Sequence, residues 1–358
     1  VWIMAYTTID DPSAHFQTAL YTGNGGTQSI TNDGNSDLQP DWLWIKERSS
    51  TSGHNVMDST RGVGKHLFPN SNGAEESLNI VSSFNSDGWS TGASNAINQS
   101  SETYVAWQWK ANGGTTTTND ASATGVGTID SVYQANTTAG FSIVTYTGNA
   151  TAGATVAHGL GAVPNWIIVK DRDASKNWVN YHQSIGNDRS ITLNTTDAQS
   201  TSTDHWHNTT PTSSVFYLGN YSHVNRNSDK FVAYCFAEKQ GYSKFGSYTG
   251  NGNTDGPFIY TGFKPAWLMI KRTSGSENWV LWDNKRDPFN NFYHVLLPNA
   301  VSAEDTTNTG SGGRYIGDFL SNGFKLRNTH DTSNGSGSTY IYMAFAEHPF
   351  VSSKGVPV

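Results

Sequence analysis

Two aspartates, each followed three positions later by an arginine, are the first candidates for acid–base chemistry. They are Asp58 with Arg61 and Asp283 with Arg286. Glycoside hydrolysis needs two carboxylates beside one bond, one as acid and the other as nucleophile or base. No second carboxylate recurs at a fixed distance from either aspartate. The spacing therefore favours an ion pair that clamps a loop, and we predict no catalytic residue.

Three lysines recur in one sequence context and are candidates for a reactive buried amine. Lys46, Lys170 and Lys271 each end a short apolar run that begins with proline. A lysine at the end of a core strand often lays its aliphatic stem along apolar surface and keeps its ammonium in water. We therefore expect these side chains to reach from the core to solvent, in a structural role.

Metal and cofactor motifs are weak in this chain. His205 and His207 lie two positions apart, so a strand would place both imidazoles on one face, but no third ligand is evident nearby. The loops at 33–37 and 331–335 carry oxygen ligands of the kind calcium prefers, without the spacing of an EF-hand. Plain turns are the simpler interpretation, and structural calcium is the alternative. No phosphate-binding loop is present, so no metal site and no cofactor are predicted.

Aromatic side chains outside the repeated strands are the candidates for carbohydrate recognition. They are Trp89, Trp206, Tyr217 and Tyr221. Exposed rings can lie against the apolar faces of sugars while neighbouring amides and hydroxyls bond the sugar hydroxyls, as in concave sites generally. Packing in the core is the alternative role for each ring.

One stretch occurs three times and organises the chain, at residues 40–46, 164–170 and 265–271. Each copy has proline first, tryptophan third (Trp42, Trp166 and Trp267), three apolar residues and a final lysine. A Tyr-Thr-Gly-Asn tag precedes each proline by 17 to 19 residues, and a β-branched and aromatic block follows each tag by 83 to 92 residues. This period is that of a whole domain, because solenoid repeats run to roughly 20–50 residues.

A polar residue follows each of the three lysines at the same distance of 12 residues: Asp58, His182 and Asp283. The arginine found three positions later in copies one and three is Ile185 in copy two. A function that needs the Asp-Arg pair in every copy is therefore not supported.

The repeats predict three modules of about 100 residues. The predicted organisation is an N-terminal arm (1–17), module 1 (18–112), a linker (113–139), module 2 (140–239) and module 3 with a C-terminal tail (240–358). The linker prediction rests on a Gly-Gly pair followed by four threonines. The arm is interpreted as a terminal strand or tail, or else as a tether to a neighbouring protein. Residues 1–3, ahead of Met4, are interpreted as an upstream extension.

Composition narrows the function classes. Charged residues make up 14% of the chain and aromatic residues 12%, whereas ordinary soluble domains carry roughly 25% charged residues. The net charge is −7 and no run of lysine or arginine occurs, so nucleic acid and anionic lipid are not predicted partners. The single Cys235 excludes an intramolecular disulfide. No stretch resembles a transmembrane helix or a signal peptide, so membrane insertion is not expected.

Strand signals dominate the local patterns. Short β-branched and aromatic runs alternate with Gly/Asn turns at the spacing of all-β folds. We therefore predict an all-β chain of three tandem, jelly-roll-like β-sandwich modules, with small barrels as the alternative. No stretch has helical periodicity with caps, and residues 74–78 could hold one helical turn at most.

Several short motifs together resemble a known family. They are Ile-Asp-Asp-Pro at 9–12, Tyr-Thr-Gly-Asn-Gly at 21–25, residues 40–49, residues 58–62, Ser-Asp-Gly-Trp at 86–89 and the ending 345–350. The combination resembles a repetitive β-rich family of marine tailed bacteriophages, usually identified as virion structural or tail-fibre-like proteins. The resemblance covers all three modules. It implies a phage particle and brings no catalytic residues with it.

These observations lead to three functional hypotheses. The first is a non-enzymatic structural protein of a tailed-phage particle (tail fibre, head fibre or capsid decoration), assembled in the host cytoplasm and exposed on the virion surface. Its expected partners are copies of itself, with a trimer as the first expectation, and other virion proteins. The second is an adhesin that binds host surface carbohydrate. The third is a glycan-degrading enzyme, which would need a paired-carboxylate cleft.

Overall fold

The computed structural model describes residues 5–307 and 313–358. Its regular structure is almost entirely β, which confirms the all-β prediction. Within the described residues the helices are a 3₁₀ turn (Pro12–Ala14), α1 (Asn95–Asn98), α2 (Ala121–Thr124) and α3 (Ser222–Asn225). None of them is long and apolar enough to span a membrane. The interpretation of residues 1–3 as an extension lies outside the described residues.

We refer to residues 18–112, 140–239 and 240–358 as repeats 1, 2 and 3. Repeat 1 and its flanks contain β1 (Phe16–Thr22), β2 (Ser29–Ile30), β3 (Trp42–Glu47), β4 (His54–Asp58), β5 (Lys65–His66), β6 (Glu76–Ser77), β7 (Val81–Phe84), β8 (Trp89–Thr91) and β9 (Thr103–Trp109). The next segment contains β10 (Thr117–Asn119) and β11 (Ser131–Asn136).

The other two repeats contain the remaining strands. Repeat 2 has β12 (Phe141–Thr147), β13 (Ala154–Ala157), β14 (Trp166–Asp171), β15 (Val179–His182), β16 (Arg189–Thr192), β17 (Ser200–Thr201), β18 (Val215–Leu218) and β19 (Lys230–Phe236). Repeat 3 has β20 (Ser243–Thr249), β21 (Phe258–Tyr260), β22 (Phe263–Arg272), β23 (Val280–Asp283), β24 (Gly317–Leu320), β25 (Gly323–Leu326) and β26 (Thr339–Pro349).

The three copies of the sequence repeat form the same four-strand arrangement. The orders are β1-β9-β3-β4, β12-β19-β14-β15 and β20-β26-β22-β23, all antiparallel. The register also recurs, because each repeat tryptophan lies opposite the residue 12 positions after the lysine: Trp42 opposite Asp58, Trp166 opposite His182, and Trp267 opposite Asp283. In repeat 2 the sheet is extended to eight strands by β10 and β11 on one side and β16 and β17 on the other.

A smaller sheet belongs to each repeat: β2-β8-β7 in repeat 1, β13-β18 in repeat 2 and β21-β25-β24 in repeat 3. Each of these sheets contributes side chains to an apolar cluster with one main sheet. In repeat 1, Leu43 and Ile45 join Trp89 in that cluster, whereas Trp42 and Trp44 join a different one. Successive residues of a strand point to opposite faces, so the apolar run of β3 is buried on both sides.

The other faces of the three main sheets meet in one common core. Its cluster takes side chains from every repeat. The Trp42 ring lies 4.7 Å from that of Tyr234 in repeat 2, Trp166 lies 6.0 Å from Trp279 in repeat 3, and Trp267 lies 5.4 Å from Trp109 in repeat 1. The repeats therefore close into a ring, 1 to 2 to 3 to 1. Because they share this core, their division into three independent modules stays a prediction.

Three local predictions are corrected by the structure. The stretch 113–139 is not a linker, since β11 pairs with β12 along six residues of each strand. The described part of the arm is not a free tail, because Thr7 is buried and its hydroxyl donates to the Gln240 carbonyl at 2.8 Å. The segment 74–78, for which the sequence allows one helical turn at most, contains the strand β6 instead. In each case tertiary pairing overrides local composition.

Candidate functional site

The three junctions of the ring are the places where polar and charged side chains meet, and we name them 1/2, 2/3 and 3/1 after the repeats in contact. At each junction the fourth strand of one main sheet approaches the second strand of the next. These strand pairs are β4 with β19, β15 with β26, and β23 with β9.

Junction 1/2 holds a buried ionic cluster. Asp58 accepts hydrogen bonds from the side chain of Arg61 and from the Tyr234 hydroxyl, the latter at 2.7 Å. Arg61 also donates to Glu75 at 2.9 Å. Glu75 in turn accepts two bonds of 2.9 Å from Arg172 of repeat 2. The ion pair predicted from the Asp-x-x-Arg spacing is present, and it belongs to a network that joins two repeats.

Electrostatic interactions favour the charged forms of Glu75 and Arg61 in this cluster. Burial would raise the pKa of Glu75, but hydrogen bonds from Arg172 and the charge of Arg61 outweigh burial and hold that pKa below its usual value. Burial would lower the pKa of Arg61, and the charge of Asp58 raises it instead. Burial also raises the pKa of the Tyr234 hydroxyl well above its usual value. The hydrogen bonds and ion pairs of the cluster join β4 of repeat 1 to repeat 2, so its geometry serves to hold the fold.

Junction 3/1 repeats the cluster with equivalent residues. Asp283 accepts from Arg286 at 2.6 Å and from the Trp107 indole at 2.9 Å. Arg286 donates to Glu304 at 2.9 Å, and Glu304 accepts from Arg48 of repeat 1 at 2.8 Å. The Arg286 guanidinium also lies over the Trp107 ring, 5.8 Å from its centroid, a favourable cation–π position.

Junction 2/3 has none of these charges among its described residues. The five equivalent positions hold His182, Ile185, Gln199, Thr273 and Met343. A backbone hydrogen bond shared by the three junctions supports this correspondence. The backbone N–H of Gln199 donates to the Thr273 carbonyl at 3.1 Å. The backbone N–H groups of Glu75 and Glu304 donate in the same way to the carbonyls of Arg172 and Arg48.

The substitutions at junction 2/3 are mutually consistent. Met343 has no hydrogen to donate where Tyr234 and Trp107 donate to an aspartate, so a carboxylate at the position of His182 would lack that partner. His182 is fully buried, and burial lowers its pKa to about 3. Its Nδ1 instead accepts from the backbone amide of Ser184 at 3.0 Å. The whole cluster has been exchanged for neutral residues.

A second contact is common to all three junctions. The residue eight positions after each repeat lysine bonds a carbonyl of the preceding repeat. Trp178 donates to the Phe68 carbonyl and Trp279 to the Thr192 carbonyl, both at 2.9 Å. His54 takes the third position, with its Nε2 3.0 Å from the Leu297 carbonyl. These bonds hold the ring together even where the ionic cluster is missing.

The expectation that the three lysines reach solvent is wrong. Lys46, Lys170 and Lys271 are fully buried. Each ammonium donates to the carbonyl of the following residue, at 2.5, 2.5 and 2.8 Å respectively. Lys170 also donates to the Ala174 carbonyl at 3.3 Å, and Lys271 to the Thr196 carbonyl of repeat 2 at 3.1 Å. Burial lowers the pKa of Lys46 and of Lys170 to about 8 and that of Lys271 to about 7.

Two cavities lie in equivalent places on repeats 2 and 3. The first, of about 300 Å³, is lined by Arg172 and Lys230 beside hydroxyl groups of β12. The second, of about 510 Å³, lies at junction 2/3, and Thr273 and Thr339 take the places of those two cations. We call it the 2/3 groove. Its lining residues are Ser184, Ile185, Asp188, Arg189, Gln199, Ser247, Tyr248, Thr249, Thr273, Thr339, Tyr340 and Ile341.

The aromatic residues predicted to bind sugar do not form one exposed surface. Trp89 is fully buried in repeat 1 and Trp206 is 2% exposed in repeat 2, so the fold withdraws both from any ligand. Tyr217 on β18 is half-buried. Tyr221 is 39% exposed and packs its ring on His205, 4.5 Å between centroids. None of the four lies in the 2/3 groove.

The candidate metal ligands have other partners. His205 lies 3.3 Å from the Ser190 hydroxyl. The two loops considered for calcium form ion pairs, Asp33 with Lys285 at 2.9 Å and Asp331 with Arg272 at 3.1 Å. Among residues 5–307 and 313–358, no group of three or more His, Cys, Asp or Glu side chains is arranged to hold a metal ion.

Sequence reasoning did not single out the glutamates and arginines that complete the clusters. The arginines could have been found from the second residue after each repeat lysine, which is Arg48 in repeat 1, Arg172 in repeat 2 and Thr273 in repeat 3. Glu75 and Glu304 gave no such signal, because they follow their aspartates by 17 and 21 residues.

The fold and its junctions define a class of protein: an all-β ring of three related repeats around a common aromatic core. The chain belongs to the family described as a domain of unknown function, DUF7483, which matches residues 11–349. No curated protein and no solved structure matches the chain. The family match runs through all three repeats, so the domain that defines the family includes the whole ring.

Proposed function

We propose that this chain is a non-enzymatic structural protein of a tailed-phage particle, displayed on the virion surface as tail fibre, head fibre or capsid decoration. The observation that carries the proposal is the closed ring of three repeats around one aromatic core. Such a body is rigid because interiors of this kind are close-packed. The phage assignment itself rests on the motif resemblance.

The charged residues support a structural role. Asp58 and Asp283, the best candidates for acid catalysis, are fully buried and each is bound by an arginine. A general acid or base must instead reach the proton that it transfers. In this chain the buried carboxylates link repeats to one another.

Repeat 3 offers a surface for neighbouring proteins. Phe289 is 83% exposed, and Tyr260 and Phe258 on β21 are 53% and 45% exposed. β21 is also an edge strand of its sheet, and edge strands can pair with another chain. These features favour assembly with copies of the same chain or with other virion proteins.

The virion proposal is tested on intact particles purified by density gradient from a culture that produces this protein. Mass spectrometry should find the chain in the particle fraction, and gold-labelled antibodies should mark it on the particle surface. A chain that stays in the lysate, absent from particles, would overturn the proposal.

Self-assembly is tested separately by light scattering on the purified protein at several concentrations. We expect a stable oligomer, with a trimer as the first expectation. A monomer at every concentration would contradict homo-oligomerisation and leave only other virion proteins as assembly partners.

A further inference from the structure

The 2/3 groove is an open space at the junction that lacks an ionic cluster. At junction 1/2 the equivalent positions are filled by Arg61, Glu75 and Arg172, which bond one another. At junction 2/3 they hold Ile185, Gln199 and Thr273, which line the groove. Its volume of about 510 Å³ lies within the range of small-molecule sites, roughly 300–1,000 Å³.

One wall of the groove is a row of hydroxyl groups on repeat 3. Residues two apart on a strand share a face, so Ser247 and Thr249 of β20 point the same way. Thr249 is paired with Thr339 in the sheet, and the Thr339 hydroxyl lies 2.8 Å from that of Thr273. The row therefore crosses three neighbouring strands. The repeat 2 side of the lining carries the polar side chains of Ser184, Asp188, Arg189 and Gln199.

Several of these polar groups have unused bonding capacity. The side chains of Ser184, Gln199, Ser247 and Thr249 make no hydrogen bond to any other part of the chain that the structure describes. A hydroxyl can both donate and accept, and an amide offers two donors and an acceptor. Both sides of the lining can thus bond a ligand that carries many hydroxyls.

The charged side chains of the groove leave no surplus of either sign, so the groove does not favour ionic ligands. Its lining contains one cation and one anion, Arg189 and Asp188, whose side chains lie 3.9 Å apart. An anion site would need a surplus of positive charge, as the cavity beside Arg172 and Lys230 has. A calcium site would need several oxygen ligands with carboxylates among them. A neutral, polyhydroxylated ligand fits the 2/3 groove best.

We propose that the 2/3 groove is a binding site for neutral carbohydrate. The two tyrosines in its lining do not provide a stacking platform, since Tyr248 and Tyr340 stack on each other with 4.9 Å between ring centroids. Their hydroxyls donate to the Ser333 and Asp331 carbonyls. Recognition therefore rests on hydrogen bonds.

This site goes beyond the virion proposal and stands apart from it. The purified chain should bind sugar whether or not it is found in particles, and particle labelling can succeed where sugar binding fails. The site also replaces Trp89 and Trp206, whose burial removes them as sugar contacts.

The proposal is tested by saturation-transfer NMR on the purified full chain. The probes are glucose, galactose, mannose, N-acetylglucosamine and their β-linked disaccharides, one at a time. At least one should give a saturation-transfer signal. The double variant Gln199→Glu/Thr273→Arg places in the groove the charged pair found at junction 1/2, and it should weaken binding at least tenfold.

Controls separate loss of the site from loss of the fold. Thr117→Arg adds the same side chain on β10, at the opposite end of the eight-stranded sheet, and should leave binding unchanged. Ser247→Ala removes an exposed hydroxyl and Gln199→Ala a half-buried amide. Each should weaken binding several-fold at an unchanged melting temperature. A sugar that binds the double variant and the wild type equally, or a panel without any signal, overturns the proposal.

Discussion

Junctions 1/2 and 2/3 are built on equivalent strands of the repeats, yet the first holds a buried ionic cluster and the second has neutral residues at the same positions and an open groove. In the first, Arg61 is shared by Asp58 and Glu75. In the second, the residue at the place of Arg61 is Ile185, and a cavity of about 510 Å³ lies beside it. The contrast shows that the ring does not depend on any one junction chemistry, because the common core and the Trp/His-to-carbonyl bonds persist at all three.

The same comparison explains why none of the three junctions holds only part of the ionic cluster. A buried ion pair roughly breaks even against apolar residues, but removing one partner leaves an uncompensated charge and costs about 3–5 kcal/mol. A junction therefore keeps the whole cluster or none of it. Junction 2/3 lacks the aspartate, both arginines, the glutamate and the hydrogen-bond donor together.

The largest expected effect comes from breaking an intact cluster. Asp58→Ala leaves Arg61 and the Tyr234 hydroxyl without their shared acceptor and should lower the free energy of unfolding by about 3–5 kcal/mol. His182→Ala, at the equivalent neutral position, should cost only about 1–3 kcal/mol for lost packing on Trp166. Urea unfolding monitored by tryptophan fluorescence measures both. A larger loss in the free energy of unfolding for His182→Ala than for Asp58→Ala would contradict the comparison of the two junctions.

A smaller effect is expected at the glutamate that links two repeats. Glu75→Gln removes one negative charge that two arginines share and should cost about 2–3 kcal/mol. Gln199→Ala changes the equivalent residue of the neutral junction and should stay within about 0.5 kcal/mol. The same unfolding assay applies to both. Equal costs would show that the charge network adds nothing at junction 1/2.

Acid should weaken junction 2/3 through His182. Its pKa is about 3 in the folded chain and about 6.5 when unfolded. The unfolded chain alone takes up this proton below about pH 6.5, so the free energy of unfolding falls as pH drops from there toward about 3. Between pH 6.5 and 5 this loss is at most about 2 kcal/mol.

Other buried histidines titrate in the same range, including His66 and His158 with pKa values of about 4. The test is therefore the difference between wild type and His182→Met. The variant should lose less stability between pH 6.5 and 5, as measured by urea unfolding at each pH. Identical pH profiles would show that His182 does not contribute to the loss of stability in acid.

The smallest effect concerns the buried lysine at the same junction. The pKa of Lys271 is about 7 in the folded chain and about 10.4 when unfolded. Between these values the unfolded chain holds more protons, so the free energy of unfolding rises with pH. From pH 7 to 8 the rise from this group is at most about 1.4 kcal/mol. Lys271→Met should reduce the slope, and an unaltered slope in the variant would contradict the lowered pKa.

Much of the fold could be predicted from the three sequence copies. The spacing from Trp42 to Asp58 recurs without gaps, and each pair lies opposite in the register. The way the repeats pack around one core could not be predicted, because apolar alternation shows that a face is buried without showing what covers it. For the same reason the sequence predicts that Lys46 reaches solvent, although the folded chain buries it completely.

The candidate site was predictable only in part. The change from Asp-Arg to His182 and Ile185 was visible in the sequence and marked repeat 2 as different. The accompanying change to Met343 lies far along the chain, and only the ring brings its strand β26 to His182, beside the backbone of Tyr342. The groove itself is lined by uncharged polar side chains such as Thr273 and Gln199, which carry no recognisable motif. Their role becomes evident only when they are compared with the arginine and glutamate at the equivalent positions of the other two junctions.

The most direct test of the central claim is methyl NMR of the chain labelled at isoleucine and threonine, titrated with the sugar that gives the strongest saturation-transfer signal. We expect shifts to concentrate on the isoleucine and threonine methyl groups that line the 2/3 groove, which are those of Ile185, Thr249, Thr273, Thr339 and Ile341. Ile80 and Ile97 in repeat 1 should not move. Shifts centred on Thr155, beside Tyr217 on the paired strand, or the absence of any shift would contradict the claim that junction 2/3 is the open, ligand-binding junction.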